Sequence, residues 1–347
     1  MSSPIKRLFV NGFPSLYGGA GTELHHQIIV WRKMGVEVHL IPSWDYHGEP
    51  LYNEMVSLGV IMHAPADWSA VQPGDPVLGF CNADFLNALP EIRRHTKRTV
   101  FINCMTWLFP REKEAMQKGE IAMFLYQNEA VRQEAMPVLR KLNGDPQVQF
   151  LTFRPYFHAE SFPFIQERDE DFFGCGRISR QDADKFAANT LRIYDAFVSP
   201  VEKRGLFLGF DKKSEAKIGR PFDWIRTAHN QREVSQQDFY RHCRIILQPT
   251  DTTENWPRIG FEAMASGSVL IVDNRGGWRQ MVEHGKTGWL CGSERDFIYY
   301  ASKMACEPNL RDDMAEAARA RGLKLGGLDV SLESWKEVLE AMARLPE

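Results

Sequence analysis

Several protein classes are excluded by what the sequence lacks. None of its apolar runs approaches the roughly 20 residues that a membrane-spanning helix needs. The six cysteines lie far apart, with no Cys-x-x-Cys pair and no histidine at zinc-ligand spacing, so we expect reduced, mostly buried thiols. The formal net charge is only -3, and such a balance does not indicate a body built to bind nucleic acid.

The remaining composition is that of a globular enzyme. Apolar residues make up 44% of the chain and charged residues 25%, which argues against disorder. A length of 347 residues exceeds one ordinary core and suits two domains of roughly 150 to 200 residues each. The first predicted strand begins at residue 7, without the roughly 7 to 15 apolar residues of a signal peptide, so we expect a cytoplasmic location.

Short apolar runs alternate with helical patterns along the whole chain, which predicts parallel sheets flanked by helices. The predicted strands of the first half are residues 7–10, 37–41, 77–80, 99–103 and 121–126. Those of the second half are residues 172–174, 205–208, 245–248, 269–272 and 288–290.

A segment rich in proline and aromatic residues, 154–164, predicts the crossover between two domains. We therefore expect an N-terminal domain over residues 1–158 and a C-terminal domain over residues 159–347. The last predicted helix, residues 332–345, either extends the second domain or packs back on the first.

The strongest motif is the segment 252–267, which reads TTENWPRIGFEAMASG. It follows a predicted buried strand, and Pro257 and Gly267 suit the start and the end of a short helix. The first N–H groups of such a helix are unpaired and its dipole is positive there, so this turn suits a diphosphate.

Two carboxylates accompany this anion site. Glu254 falls in the loop and Glu262 about a turn and a half into the helix, on the side that leans toward the same crevice. Carboxylates accept hydrogen bonds from sugar and ribose hydroxyls. The alternative is that both acids simply favour a helix start electrostatically.

This stretch resembles the Glu-x7-Glu motif of the retaining glycosyltransferases of family 4, and the resemblance continues through residues 263–270 and 276–290. It implies the α/β fold called GT-B, in which two Rossmann-like domains with parallel sheets face each other across a cleft. The N-terminal domain would bind the acceptor and the C-terminal domain the nucleotide-sugar. In that family the second acid binds the ribose and the first contacts the transferred sugar, as a binder and not a base. By this resemblance five residues would contact the donor. Glu262 would do so through its carboxylate, and the other four through backbone N–H groups: Asn255, Trp256, Arg258 and Ile259.

Two more features are similar to the family. Residues 173–178, FGCGRI, match its strand ending in Gly-Arg, which makes Arg177 a bidentate diphosphate ligand. The family's lysine normally follows about six residues later within Lys-Gly, whereas here Lys185 follows without the glycine and Arg180 competes with it. A solvated helix charge is the alternative for Lys185. Together Glu254, Arg177 and Lys185 form the predicted catalytic group.

A glycine-rich turn, Gly18-Gly19-Ala20-Gly21-Thr22, stands between the first predicted strand and a helix predicted over residues 22–34. By resemblance Gly18 and Gly19 face the donor phosphates, while a tight structural turn is the alternative.

One departure concerns the histidine that the family often carries after its fourth strand, where this chain reads Asn103-Cys104-Met105-Thr106-Trp107. Asn103 or Thr106 could bind a sugar hydroxyl there, and Trp107 could stack on a ring. We expect His25, His26 and His63 to be surface or core residues.

The predicted reaction needs no cofactor and no metal, since no clear Asp-x-Asp motif is present, and its donor is expected to be a UDP- or GDP-sugar. The acceptor stays open among a saccharide, a lipid-linked glycan, a small natural product, a protein and a modified nucleobase. A basic cluster that includes Arg93, Arg94 and Lys97 could contact the inner face of a membrane, although a solvated helix end is the alternative. A nonhydrolysing sugar-nucleotide epimerase of the same fold and an inactive donor-binding relative are the competing functions.

Overall fold

The computed structural model describes residues 3–15 and 19–347, and the chain splits into two compact units. Unit 1 comprises Met1–Phe157 and Gly326–Glu347, and unit 2 comprises His158–Leu325. The division after Phe157 lies beside the predicted boundary at residue 158. The segment after residue 325 belongs to unit 1, which is the second of the two alternatives considered for the last helix.

Unit 1 is built on a parallel seven-stranded sheet in the order β3-β2-β1-β4-β5-β6-β7. Its strands are β1 Arg7–Gly12, β2 Glu37–Pro42, β3 Ile61–Met62, β4 Val77–Phe80, β5 Thr99–Asn103, β6 Met123–Tyr126 and β7 Gln149–Thr152. Its first helices are α1 Gly19–Lys33, α2 Pro50–Ser57, α3 Ala83–Ile92, α4 Pro110–Gln117 and α5 Glu129–Arg140. Alternate strand residues enter two cores, with Leu8 and Val10 on one face and Phe9 on the other, as the period of a strand requires.

Unit 2 is built on a parallel six-stranded sheet in the order β10-β9-β8-β11-β12-β13. Its strands are β8 Phe172–Ile178, β9 Glu202–Leu208, β10 Ile225–Ala228, β11 Ile245–Gln248, β12 Val269–Asp273 and β13 Trp289–Cys291. Its helices are α6 Thr190–Ala196, α7 Lys212–Ile218, α8 Gln236–His242, α9 Arg258–Ser266, α10 Trp278–Met281, α11 Glu294–Cys306 and α12 Pro308–Gly326. The strand order reverses between β8 and β11, and in unit 1 between β1 and β4. Ligands bind outside the carboxyl ends of the strands at such reversals.

The last helix, α13 Leu328–Ala343, packs on α1. Trp335 is fully buried there, and its indole N–H donates to Gln27 Oε1 over 2.8 Å. The same indole meets Trp31 edge-on, with ring centroids 5.0 Å apart. Helix α13 is therefore a component of the unit 1 core.

The expectation of six reduced cysteines is wrong at two positions. Cys81 and Cys104 are joined in a disulfide, with their Cα atoms 5.5 Å apart. They directly follow β4 and β5, which are neighbours in the sheet, so a sequence separation of 23 residues conceals their proximity. Of the free thiols, Cys175, Cys243 and Cys291 are buried and Cys306 is exposed.

No helix among residues 3–15 and 19–347 is both long enough and apolar enough to cross a membrane.

Candidate functional site

The predicted motif of unit 2 folds as strand, loop and short helix. Strand β11 ends at Gln248 and α9 begins at Arg258, directly after Pro257. Gly267 ends the helix in the left-handed conformation, with φ +78°. The loop thus leaves the carboxyl end of β11 at the strand-order reversal, where the dipole of α9 points its positive end.

Gly276 and Gly277 hold this loop in place. The Gly277 N–H donates to the Glu254 carbonyl over 2.7 Å. A Cβ added at Gly277 would overlap the Asn255 carbonyl oxygen, and one at Gly276 would overlap the Glu254 carbonyl. Only residues without a side chain allow this close backbone approach.

The structure brings Lys185 to Glu254. The Lys185 ammonium lies 2.7 Å from Glu254 Oε1, and the two side chains are 19% and 17% exposed. Arg180 instead pairs with Asp182 at 3.1 Å. Of the two cations considered in the sequence, Lys185 is the one beside the predicted sugar-binding acid.

Arg177 is fully buried and its guanidinium points at backbone carbonyls. It donates to the Pro249 carbonyl over 3.1 Å and to the Lys185 carbonyl, and it stacks on the Phe186 ring at 3.5 Å. Burial lowers the pKa of this guanidinium to about 10. Arg177 therefore joins the segment that carries Lys185 to the loop that carries Glu254, and its direct contact with a diphosphate stays a prediction.

Glu262 lies in a buried polar pocket on α9. Its Oε2 accepts from the Tyr240 hydroxyl at 2.9 Å and from Gln236 Nε2 at 3.1 Å. Burial raises the pKa of the carboxyl, while the nearby charge of Arg258 and these hydrogen bonds oppose the rise. The two donors fix the orientation of a carboxylate that is predicted to receive ribose hydroxyls.

The other predicted donor contacts of unit 2 lie in the loop and at the start of α9, and their roles stay predictions. Asn255 and Trp256 are buried in the loop, and Arg258 and Ile259 form the first turn of α9. Gly19 begins α1 instead of preceding it, and Gly18 lies outside the described residues.

Gly21, which belongs to the predicted glycine-rich turn, lies in the first turn of α1. A Cβ there would overlap the Ser15 carbonyl oxygen. The structure thus explains Gly21 by a close backbone approach.

The turn after β5, where the family often has a histidine, is organised by Asn103 and Glu112. Asn103 Nδ2 donates to Glu112 Oε2 and to the Trp107 carbonyl, both over 2.9 Å, and Asn103 Oδ1 accepts from the Met105 N–H. The buried Asn103 amide thus shapes the turn, while Trp107 is 55% exposed. His26 is buried near Tyr156, and His63 hydrogen-bonds to His39 over 2.9 Å.

Glu112 is the buried acid that the sequence reasoning missed. Its Oε2 also accepts from the Phe109 N–H over 3.1 Å, whereas its Oε1 and the buried Tyr126 hydroxyl have no hydrogen-bond partner within the described part of the chain. Burial raises the pKa of Glu112 to about 7. The acidic N3 position after Pro110 is a common helix-start pattern and carries no signal that the group is buried.

The basic cluster at the end of α3 is largely paired within unit 1. Arg93 donates to the Glu120 carbonyl over 3.4 Å, and Arg94 pairs with Glu91 at 2.6 Å. Lys97 is exposed. Membrane contact by these residues stays a prediction. Over residues 3–15 and 19–347, no group of three or more His, Cys, Asp or Glu side chains is placed to hold a metal ion.

Comparisons with known proteins agree with this arrangement. Residues 227–321, which include Glu254 and Glu262, match the family described as Glycosyl transferases group 1. Human alpha-1,3/1,6-mannosyltransferase ALG2 is 27% identical over 110 residues, which are 31% of this chain and 25% of that protein. The match therefore spans about a quarter of the length of this relative.

Solved structures share this fold over nearly the whole chain. Anabaena HepE in complex with UDP and glucose superposes with a TM-score of 0.74 at 12% identity, covering 97% of this chain and 100% of HepE. Sucrose-phosphate synthase from Thermosynechococcus elongatus gives a TM-score of 0.70 at 11% identity, with 96% and 98% covered. The chain has the GT-B fold of these structures, and residues 227–321 of its unit 2 are similar to the group 1 glycosyl transferases.

Proposed function

We propose that this chain is a retaining, metal-independent glycosyltransferase of family 4 that moves a sugar from a nucleoside diphosphate sugar to an acceptor hydroxyl. The observation that carries the proposal is the 2.7 Å contact between Lys185 and Glu254 at the strand-order reversal of unit 2. It places a cation suited to a diphosphate beside a carboxylate suited to sugar hydroxyls. Glu262, oriented by Tyr240 and Gln236, supplies the acceptor for a ribose.

In this mechanism the donor replaces the Lys185–Glu254 contact by two new ones. The ammonium moves to the diphosphate and the carboxylate receives hydroxyls of the transferred sugar. Lys185 and the N–H groups at the start of α9 then stabilise the charge that grows on the leaving diphosphate, the task that metal ions perform elsewhere. Arg177 keeps the two segments in register through the Pro249 and Lys185 carbonyls. The leaving phosphate receives the acceptor proton on the same face, so no protein base is required.

The division of labour between the two acids is tested with matched Glu→Gln variants and UDP, the nucleotide bound in structures of HepE. Glu262→Gln removes the charge that strengthens hydrogen bonds to ribose hydroxyls, a loss on the order of 1 to 2 kcal/mol, so UDP binding should weaken roughly 5- to 30-fold. Glu254→Gln should leave UDP binding nearly unchanged but reduce sugar turnover. Glu316→Gln, on the exposed side of α12, is the control.

Calorimetric titration with UDP and a product assay give the two readouts, with GDP titrated in parallel to identify the nucleotide. Equal binding losses in both variants, or none in Glu262→Gln, would contradict the assignment and favour a purely structural role of these acids. Activity that disappeared in chelator and returned with Mn²⁺ would contradict metal independence. NMR of the product anomer checks retention.

The competing functions are separated by incubating the chain with nucleotide-sugar and no acceptor. Slow donor hydrolysis that Glu254→Gln abolishes fits a transferase. An epimerised nucleotide-sugar would instead identify an epimerase, and binding without any turnover would identify an inactive relative.

A further inference from the structure

An aromatic pair stands at the carboxyl edge of the unit 1 sheet, with Phe13 half-buried and Trp44 exposed. Phe13 follows β1 and Trp44 follows β2, and their rings stack at 5.8 Å with an interplanar angle of 30°. Tyr46 lies 6.3 Å beyond Trp44. Trp44 is 59% exposed, although a large aromatic ring normally stabilises a fold by being buried. Packing against the described residues of unit 1 therefore covers less than half of this indole.

A buried amide network fixes the loops that carry the pair. Asn82 Nδ2 donates to Asn11 Oδ1 over 2.6 Å and to Ser43 Oγ over 2.9 Å. Asn11 Nδ2 in turn donates to the Ile41 carbonyl over 2.7 Å. These residues come from the ends of β1, β2 and β4, so the network lies at the strand-order reversal of unit 1. The aromatic pair is thus held in place at the position where parallel α/β sheets bind ligands.

The polar groups around the pair are acidic. The loop 43–49 contains Asp45, Glu49 and the weakly basic His47, all exposed, and no lysine or arginine. Burial, together with the nearby charges of Asp84 and Glu49, raises the pKa of the Tyr46 phenol. Such surroundings repel phosphate-bearing ligands such as anionic lipid or nucleic acid. They favour a neutral ligand that donates hydrogen bonds.

A pyranose ring combines the two required properties. One of its faces presents C–H groups that pack on an aromatic ring, and its rim presents hydroxyls that donate to carboxylates. We propose that Phe13, Trp44 and Tyr46, with Asp45 and Glu49 at the rim, form a saccharide-binding subsite. This assignment rests on the function proposed above. The subsite then holds a sugar ring of the acceptor, so the acceptor is a glycan or glycoside.

Binding is tested on the full chain by saturation-transfer NMR with methyl α-mannoside, maltose and α-1,3-mannobiose as probes. We expect saturation of ring C–H protons in at least one probe, with loss in Trp44→Ala and retention in Trp44→Phe, which keeps a stacking ring. Tyr299→Ala, which removes an equally exposed aromatic side chain from α11 of unit 2, is the matched control and should retain the signal. Saturation of no probe, or a signal unchanged in Trp44→Ala, overturns the subsite.

Two further readouts separate this inference from the proposed function. With an active donor and acceptor pair, Trp44→Ala should raise the acceptor KM roughly tenfold, whereas Tyr299→Ala should leave the acceptor KM unchanged. If the chain binds UDP but shows no saccharide binding that depends on Trp44, the subsite is contradicted and the transferase proposal is not. If it shows saccharide binding that depends on Trp44 but binds no nucleoside diphosphate, the transferase proposal is contradicted and the subsite is not. Sedimentation with phosphatidylcholine vesicles containing phosphatidylglycerol, if it depended on Trp44, would overturn the saccharide assignment in favour of a lipid surface.

Discussion

Glu112 gives a quantitative prediction about stability and pH. Its pKa in the folded chain is about 7, against an ordinary value of 4.5. The folded state therefore keeps a proton that the unfolded state has lost, and stability falls as pH rises between these two values. The contribution is fully present below pH 4.5 and is lost by the time pH passes about 7. Integrated between pH 5 and pH 8, the loss is about 2.5 kcal/mol of unfolding free energy.

Glu112→Gln should remove this loss. A glutamine carbonyl can still accept from Asn103 Nδ2 and the Phe109 N–H, so the turn after β5 keeps its hydrogen bonds. The side chain no longer ionises, and the variant should gain about 2.5 kcal/mol relative to the native chain on going from pH 5 to pH 8. Glu114→Gln, an exposed position on the same helix, should change the pH dependence by less than about 0.5 kcal/mol.

Urea unfolding at the two pH values measures both variants. Amide protection in β5 and β6 is the readout, because it assigns the measured free energy to unit 1. Parallel pH curves for the native chain and Glu112→Gln would refute the reasoning. An equal effect in Glu114→Gln would show that net charge, and not burial, is the cause.

Three other variants test separate contacts. Gly277→Ala should push the Glu254 loop aside and weaken UDP binding at least tenfold by calorimetry, whereas Gly292→Ala, with ordinary space for a methyl group, should not. Lys185→Gln should weaken UDP binding about tenfold and reduce its salt dependence, while Arg180→Gln leaves both unchanged. Equal effects of the two variants would contradict Lys185 as the specific ligand of the diphosphate. Trp335→Ala should cost about 3 to 5 kcal/mol and lower amide protection in α1 and β1, and a loss confined to unit 2 would contradict the packing of α13.

Most strands could be predicted because they are buried on both faces. The three that the sequence reasoning missed, β3, β7 and β10, are edge strands. Strands β7 and β10 carry polar residues, such as Gln149 in β7 and Arg226 and Thr227 in β10, and β3 is only two residues long, whereas the apolar edge strand β13 was predicted. An apolar-run criterion cannot detect such segments.

The candidate site could be predicted where the chemistry lies in one continuous segment. The motif around Glu254 and Glu262 belongs to a single loop and helix, and its local structure follows from Pro257 and Gly267. Contacts between distant segments could not be read in the same way. The direction of the Arg177 guanidinium and the disulfide of Cys81 with Cys104 depend on strand adjacency, which sequence spacing does not encode.

Helix α13 has a consequence for how the chain folds during synthesis. Residues 158–325 are complete as a unit before the ribosome has made the segment that finishes the core around Trp31. Until residues 326–347 emerge, α1 exposes the surface that Trp335 later covers. The side chain of Gln27 then lacks the hydrogen bond that it accepts from the Trp335 indole. Because domains fold as units while they emerge, unit 2 is able to mature first although it is encoded second. In a chain that ends after α12, unit 2 would fold, whereas unit 1 would lack α13 from its core and would be bound by chaperones.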